Sequence, residues 1–200
     1  MLKVDRANYV RNREDAYDDH PQPIGHSQTI SAPHMHAHAA QHLLNFLGPG
    51  SKVLDVGSGS GYLTAVFHHL VSGEEGGPKG KVVGIEHIPQ IVQWSRENIR
   101  RDGLGEALDN GEIEIIEGDG RLGSPAGGPY DAIHVGAAPP ELPQALIDQL
   151  AGPGRMFIPV GKRGSQVVTL VDKDAEGRVR VEDLFGVKYV PLTDSPTDRG

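Results

Sequence analysis

Lys52-Val53-Leu54-Asp55-Val56-Gly57-Ser58-Gly59-Ser60-Gly61-Tyr62-Leu63-Thr64 is the stretch that decides the fold. Its first five residues are a short β-prone run, three glycines then alternate with serines, and Tyr62 to Val71 takes up helical spacing. The order is strand, tight turn, helix. Glycine at positions 57, 59 and 61 lets the backbone turn sharply and approach a ligand without Cβ interference. A nucleotide-like molecule is implied, although glycines also occupy such turns for structural reasons alone.

Upstream, the polar segment to about residue 30, with Pro21-Gln22-Pro23-Ile24-Gly25, reads as loop. From Pro33 to Leu47 the apolar Ala37, Ala40, Leu43, Leu44 and Leu47 recur at three and four, which predicts a helix stopped by Gly48-Pro49-Gly50, with Ser31 as its N-cap. Downstream, beyond the glycine-rich patch from Ser72 to Gly80, strand Lys81 to Glu86 precedes a helix from Pro89 to Arg101. Strands Ile113 to Glu117 and Tyr130 to Val135 follow, then helix Leu142 to Leu150, ended by Gly152-Pro153-Gly154, and strand Arg155 to Val160. Val167 to Val171 and Val179 to Phe185 alternate apolar and polar residues across a turn, as an antiparallel hairpin does. The pattern predicts one α/β domain over residues 1–200: a doubly wound, mostly parallel sheet of about seven strands with an antiparallel C-terminal hairpin. Ligands are expected beyond the carboxyl ends of the strands.

Bulk composition narrows the partners. A formal net charge of -8 offers no broad basic surface for phosphate, so nucleic acid is not expected. There is no cysteine, hence no disulfide and no thiolate zinc site. The N-terminus lacks an apolar core of the signal-peptide kind, and no apolar run approaches the ~18 residues of a membrane span. A soluble, cytoplasmic monomer is expected.

Position 62 argues about the ligand. A dinucleotide fingerprint would place Gly or Ala there, and this chain has Tyr62, which disfavours NAD. Asp55 sits badly beside a pyrophosphate but suits the ammonium of an amino-acid-bearing cofactor, through water or the loop. Glu86, at the end of the second strand, stands where such folds hydrogen-bond ribose hydroxyls, unless it is simply a solvated acid. The balance favours S-adenosylmethionine.

With these residues placed, the chain resembles the class I methyltransferases, and within them the protein-L-isoaspartate O-methyltransferase family. The resemblance runs through Gln22-Pro23-Ile24-Gly25, Leu54 to Gly61, Gly118-Asp119-Gly120-Arg121, Tyr130 to Ala137, Pro143 to Leu150 and Tyr189-Val190-Pro191-Leu192-Thr193-Asp194. Its most specific block is Thr29-Ile30-Ser31-Ala32-Pro33-His34-Met35-His36. The resemblance implies a Rossmann-like methyltransferase that methylates the α-carboxylate of L-isoaspartyl residues in damaged proteins and peptides. The ester would then collapse to a succinimide and return part of the sites to aspartate. It implies that Ser31 hydrogen-bonds the substrate carboxylate, that Thr29, Ile30 and His36 line the cleft, that Asp119 and Gly120 lie beside adenine, and that Thr193 closes over the cofactor. The expected cofactor set is completed by Asp55, Gly57, Ser58, Gly59, Ser60, Gly61, Glu86 and His87.

Two expectations stand apart. His34, His36, His38 and His42 cluster on one segment, but the acid of a metalloprotease helix is missing, so no metal is expected. The family's usual N-terminal helical stretch before Asp5-Arg6-Ala7-Asn8-Tyr9-Val10 is absent from this sequence, and a shortened, binding-only form is the competing expectation.

Overall fold

Uninterrupted apolar runs such as Val53-Leu54 and Val82-Val83 suit strands covered on both faces, and successive residues of such a strand point to opposite layers. In the computed structural model, which describes residues 1–73, 76–162 and 164–193, these runs are central strands. The elements are β1 (Gln22–Gly25), β2 (Gln28–Ile30), α1 (Pro33–Leu43), β3 (Lys52–Val56), α2 (Tyr62–Val71), β4 (Lys81–Glu86), α3 (Pro89–Arg101), α4 (Gly105–Asp109), β5 (Ile113–Glu117), β6 (Tyr130–Val135), α5 (Gln144–Gln149), β7 (Leu150–Val160), β8 (Gln166–Lys173) and β9 (Val179–Val187). Asp194, the last residue of the resemblance, lies outside the described residues.

Seven strands form one sheet in the order β5-β4-β3-β6-β7-β8-β9. The first five are parallel, and β8 runs antiparallel between β7 and β9, which makes the C-terminal hairpin. Val53 faces a layer with Phe67, Ile91, Ile99 and Phe157, whereas Leu54 faces Val83, Ile133, Leu146 and Met156 on the other side. The chain winds one way from β3 through β4 to β5 and the other way from β6, so the switch lies at the carboxyl ends of the adjacent strands β3 and β6. Register sets Asp55 opposite Gly84 on one side and His134 on the other.

The N-terminal segment differs from the loop expected there. Val4, Tyr9, Val10 and Ala16 are buried in the core, and β1 and β2 form an antiparallel hairpin. Its turn uses His26 and Ser27 at φ 52° and 58°, left-handed positions held by residues other than glycine, so no Asn-Gly or Gly-Gly marks it. Ser31 is not the cap of α1: the capping position is Ala32, without a side-chain bond, and Pro33 opens the helix. That helix ends at Leu43 and tightens into a 3-10 turn, Leu44–Phe46. Helix α5 is shorter than expected, and Gly152-Pro153-Gly154 lies within β7, where a bulge takes up the extra residues between the pairs Tyr130↔Leu150 and Ala132↔Arg155. The short α4 had no periodic signature.

Candidate active site

The turn after β3 is pinned to β4, since the amides of Gly57 and Ser58 donate to the Ile85 carbonyl at 2.8 and 3.0 Å. Gly57 and Gly59 adopt φ of 73° and 53° and face a cleft of about 520 Å³. Gly61 has another job. It precedes α2 at φ 85°, and a Cβ there would stand 2.6 Å from Ser95 Oγ and 3.1 Å from Ile99, so its missing side chain lets α2 and α3 pack together.

Glu86 ends β4 only 4% exposed. Its Oε1 accepts from the His87 and Ile88 amides (2.8 and 3.1 Å) and its Oε2 from the Gly59 amide (3.3 Å). The carboxylate thus braces the glycine turn while lining the cleft, and burial pushes its pKa up against the pull of His87 and these amides. His87, Gly118 and Gly120 continue the wall. A Cβ on Gly120 would press within 2.6 Å of Val56 Cγ1, so only glycine lets the backbone lie this close to the strand end. Asp119 is not part of the lining: its carboxylate folds back on Arg121, accepting from Nε and Nη2 at 3.0 and 2.6 Å.

A C-terminal strap closes the opposite side. Ala138 N donates to Val190 O (2.8 Å), Leu192 N donates to Ala138 O (2.9 Å), and the side chain of Gln166 brackets Tyr189 through its amide (2.6 Å) and carbonyl (3.1 Å). These bonds lay Val190 to Thr193 along the cleft.

A second pocket of about 360 Å³ shares Thr29, Gly57, Gly59 and Gly136 with the first. Ile30, Ser31, His36, Asp55, Ser58 and Ser60 all line it. Asp55, 1% exposed, accepts from Thr64 Oγ1 (2.6 Å) and His134 Nδ1 (2.8 Å), so both its oxygens are engaged inward. Ser31 lies beside the Tyr189 hydroxyl, which burial pushes up to about 12. Buried His36 receives Arg6 Nη1 at 3.3 Å on its Nδ1. A guanidinium can only donate, so the ring proton is on Nε2, and burial followed by Arg6 holds His36 well below the usual histidine value.

The remaining histidines of α1 are engaged otherwise. His34 bonds Asp19 at 2.8 Å and His38 lies against Phe185. Among the described residues no group of three or more His, Asp or Glu could hold a metal ion.

Sequence reasoning missed Gly136, Ala137 and the clamp of Gln166, although a glycine directly after β6, on the strand across the switch from β3, could have flagged the first two. It missed Arg6 as well, an arginine in a polar stretch that nothing local distinguishes.

Comparison with known proteins adds to this geometry. The model of the family described as Protein-L-isoaspartate(D-aspartate) O-methyltransferase matches residues 1–197. A protein-L-isoaspartate O-methyltransferase from Triticum aestivum is 50% identical over 96% of this chain and 81% of its own length. One from Caenorhabditis elegans is 50% identical over 96% of this chain and 82% of its own. A crystal structure from Plasmodium falciparum, assigned as a protein-L-isoaspartate O-methyltransferase in complex with S-adenosyl-L-homocysteine, superimposes with a TM-score of 0.87 at 40% identity, over 96% of this chain and 88% of that one.

Proposed function

Because the chain belongs to the protein-L-isoaspartate(D-aspartate) O-methyltransferase family, we propose that it methylates the α-carboxylate of L-isoaspartyl residues in damaged proteins and peptides, using S-adenosylmethionine, and so starts repair through a succinimide. One observation carries this reading: the glycine-turn cleft and the Ser31 pocket meet at Thr29, Gly57, Gly59 and Gly136. Two reactants bound in the two spaces would touch at that junction.

The residues present fit the cofactor. Glu86 offers buried carboxylate oxygens for ribose hydroxyls, Gly57 and Gly59 admit backbone close to a ligand, and Gly120 leaves room beside Val56. When bound, the cofactor supplies a sulfonium methyl group. Ile85, His87 and the strap from Val190 to Thr193 would enclose it, while Thr29, Ile30, Ser58 and Ser60 would border its amino-acid end. Asp55 would act there through His134 and Thr64, which it orients.

The nucleophile needs no general base. An α-carboxyl group has an ordinary pKa of about 3.3–3.7 and is ionised at neutral pH. The protein's work is alignment and exclusion of water. Ser31 would hydrogen-bond the carboxylate and His36 would present its Nε2 proton to the same pocket. Turnover is favoured over a binding-only role because both pockets are assembled and Tyr9 and Val10 of the N-terminal segment are packed into the core.

This reading takes residues 1–200 as a single methyltransferase domain, acting as a cytoplasmic monomer on protein and peptide substrates and not on nucleic acid. No helix among the described residues is long and apolar enough to cross a membrane. Incubation of an isoaspartyl peptide with S-adenosylmethionine and the enzyme should yield a base-labile methyl ester by mass spectrometry. Absence of the ester at high enzyme concentration refutes the proposal.

A further inference from the structure

Arg6 is 3% exposed, yet among the described residues it forms no ion pair with a carboxylate. Its Nη2 donates to the Ser31 carbonyl at 2.8 Å, its Nη1 to His36 Nδ1, and its guanidinium lies 5.3 Å from the centre of the Tyr62 ring. Its Nε is buried and has no hydrogen-bond partner among the described residues. Asp19 is felt only at longer range. The hydrogen-bond and ring partners of this cation among the described residues, Ser31, His36 and Tyr62, are all walls of the second pocket. A buried charge without a counter-charge is costly, and proteins keep one where a ligand completes it.

We infer that Arg6 is a positioning residue whose buried charge selects the substrate's carboxylate, acting through the pocket wall built by Ser31 and His36. The inference rests on the functional reading above. The reaction itself predicts how the charge acts. A bond forms from carboxylate oxygen to methyl carbon as the methyl–sulfur bond breaks, and an anion and a sulfonium become a neutral ester and a neutral thioether. The carboxylate's charge is therefore greatest before reaction and fades in the transition state. A fixed cation nearby strengthens substrate binding and gives the chemical step no help.

The test compares wild type with Arg6→Gln, which removes the charge, and Arg6→Lys, which keeps it. Arg6→Gln should raise KM for an isoaspartyl peptide about tenfold while kcat stays within about threefold, and Arg6→Lys should recover most of the KM. An unchanged KM in Arg6→Gln, or equal losses in both variants, overturns the inference, because then shape alone matters at this position. If wild type itself fails to methylate the peptide, the functional reading has failed instead. Should Arg6→Gln not fold, the wild type still decides. With S-adenosylhomocysteine bound, the Arg6 Nε–H resonance should shift on adding the isoaspartyl peptide and stay in place with its α-carboxamide twin. Identical responses to the two peptides overturn the inference.

Discussion

Replacing Glu86 by glutamine separates its two tasks. The carboxylate braces the turn through three backbone amides and lines the cleft where ribose hydroxyls are expected. Glutamine keeps the shape and one acceptor oxygen, so the His87 and Ile88 amides can remain bonded. It turns the other end into a donor facing the Gly59 amide, which at 3.3 Å is the weakest of the three bonds. Against that loss stands a gain, since the burial that raises the carboxylate's pKa penalises its charge, and glutamine has no charge to desolvate. Folding stability should therefore change by less than about 1 kcal/mol. Cofactor affinity should fall. Hydrogen bonds to a charged group contribute about 1.5–3 kcal/mol each. Weakening two of them by about half removes about 1.5–3 kcal/mol, or roughly 10- to 150-fold in Kd. Titration calorimetry with S-adenosylhomocysteine, alongside thermal melts, reads both quantities. A Kd within threefold of wild type, with an unchanged melting temperature, refutes the assignment of Glu86 to the cofactor.

Further outcomes follow from the same geometry. Ser31→Ala should lower kcat/KM for isoaspartyl peptide by about 10- to 100-fold, one or two hydrogen bonds' worth, and leave S-adenosylhomocysteine affinity within threefold. Gln166→Ala frees the strap at Tyr189 and should raise the KM for cofactor about five- to tenfold with a smaller effect on kcat, measured by initial rates. His36 titrates below its usual value because of burial first, then Arg6, His134 and His34. The folded form thus binds this proton less readily than the unfolded chain, so stability rises with pH between the depressed value and about 6.5 and falls as pH drops through that window. His36→Gln should flatten the acid limb of stability against pH by up to about 1.4 kcal/mol per unit in denaturant titrations.

Much of this was legible in the residues. The limits of β3, α2, β4, α3, β5 and β6 follow from apolar runs or spacing closed by glycine, proline or polar clusters, and the central strands β3, β4 and β6, buried on both faces, leave little freedom in where they begin and end. The β1–β2 hairpin was hidden because its turn places His26 and Ser27 in left-handed conformations that composition does not announce. Gly152-Pro153-Gly154 reads as a helix stop, and it lies in the bulge inside β7, so one local signal served two elements. The capping role expected of Ser31 failed for a related reason: the residue lines the pocket and its carbonyl is held by Arg6. In the cleft, residues next to strand ends could be found from spacing, as with Gly57, Gly59 and Glu86. Residues supplied by tertiary contact could not. Arg6 reaches Ser31 and His36 from an N-terminal turn, and Gln166 reaches Tyr189 from β8, contacts that no local pattern encodes.

The central claim is met most directly by presenting the enzyme with one peptide in two forms, identical except that an aspartyl linkage runs through the β-carboxyl in one and the α-carboxyl in the other. Methyl incorporation from S-adenosylmethionine should be confined to the isoaspartyl form, with kcat/KM at least about 10³-fold above its twin, since the misplaced carboxylate would miss the junction of the two pockets. Equal methylation of both forms, or methylation of neither, would contradict the account.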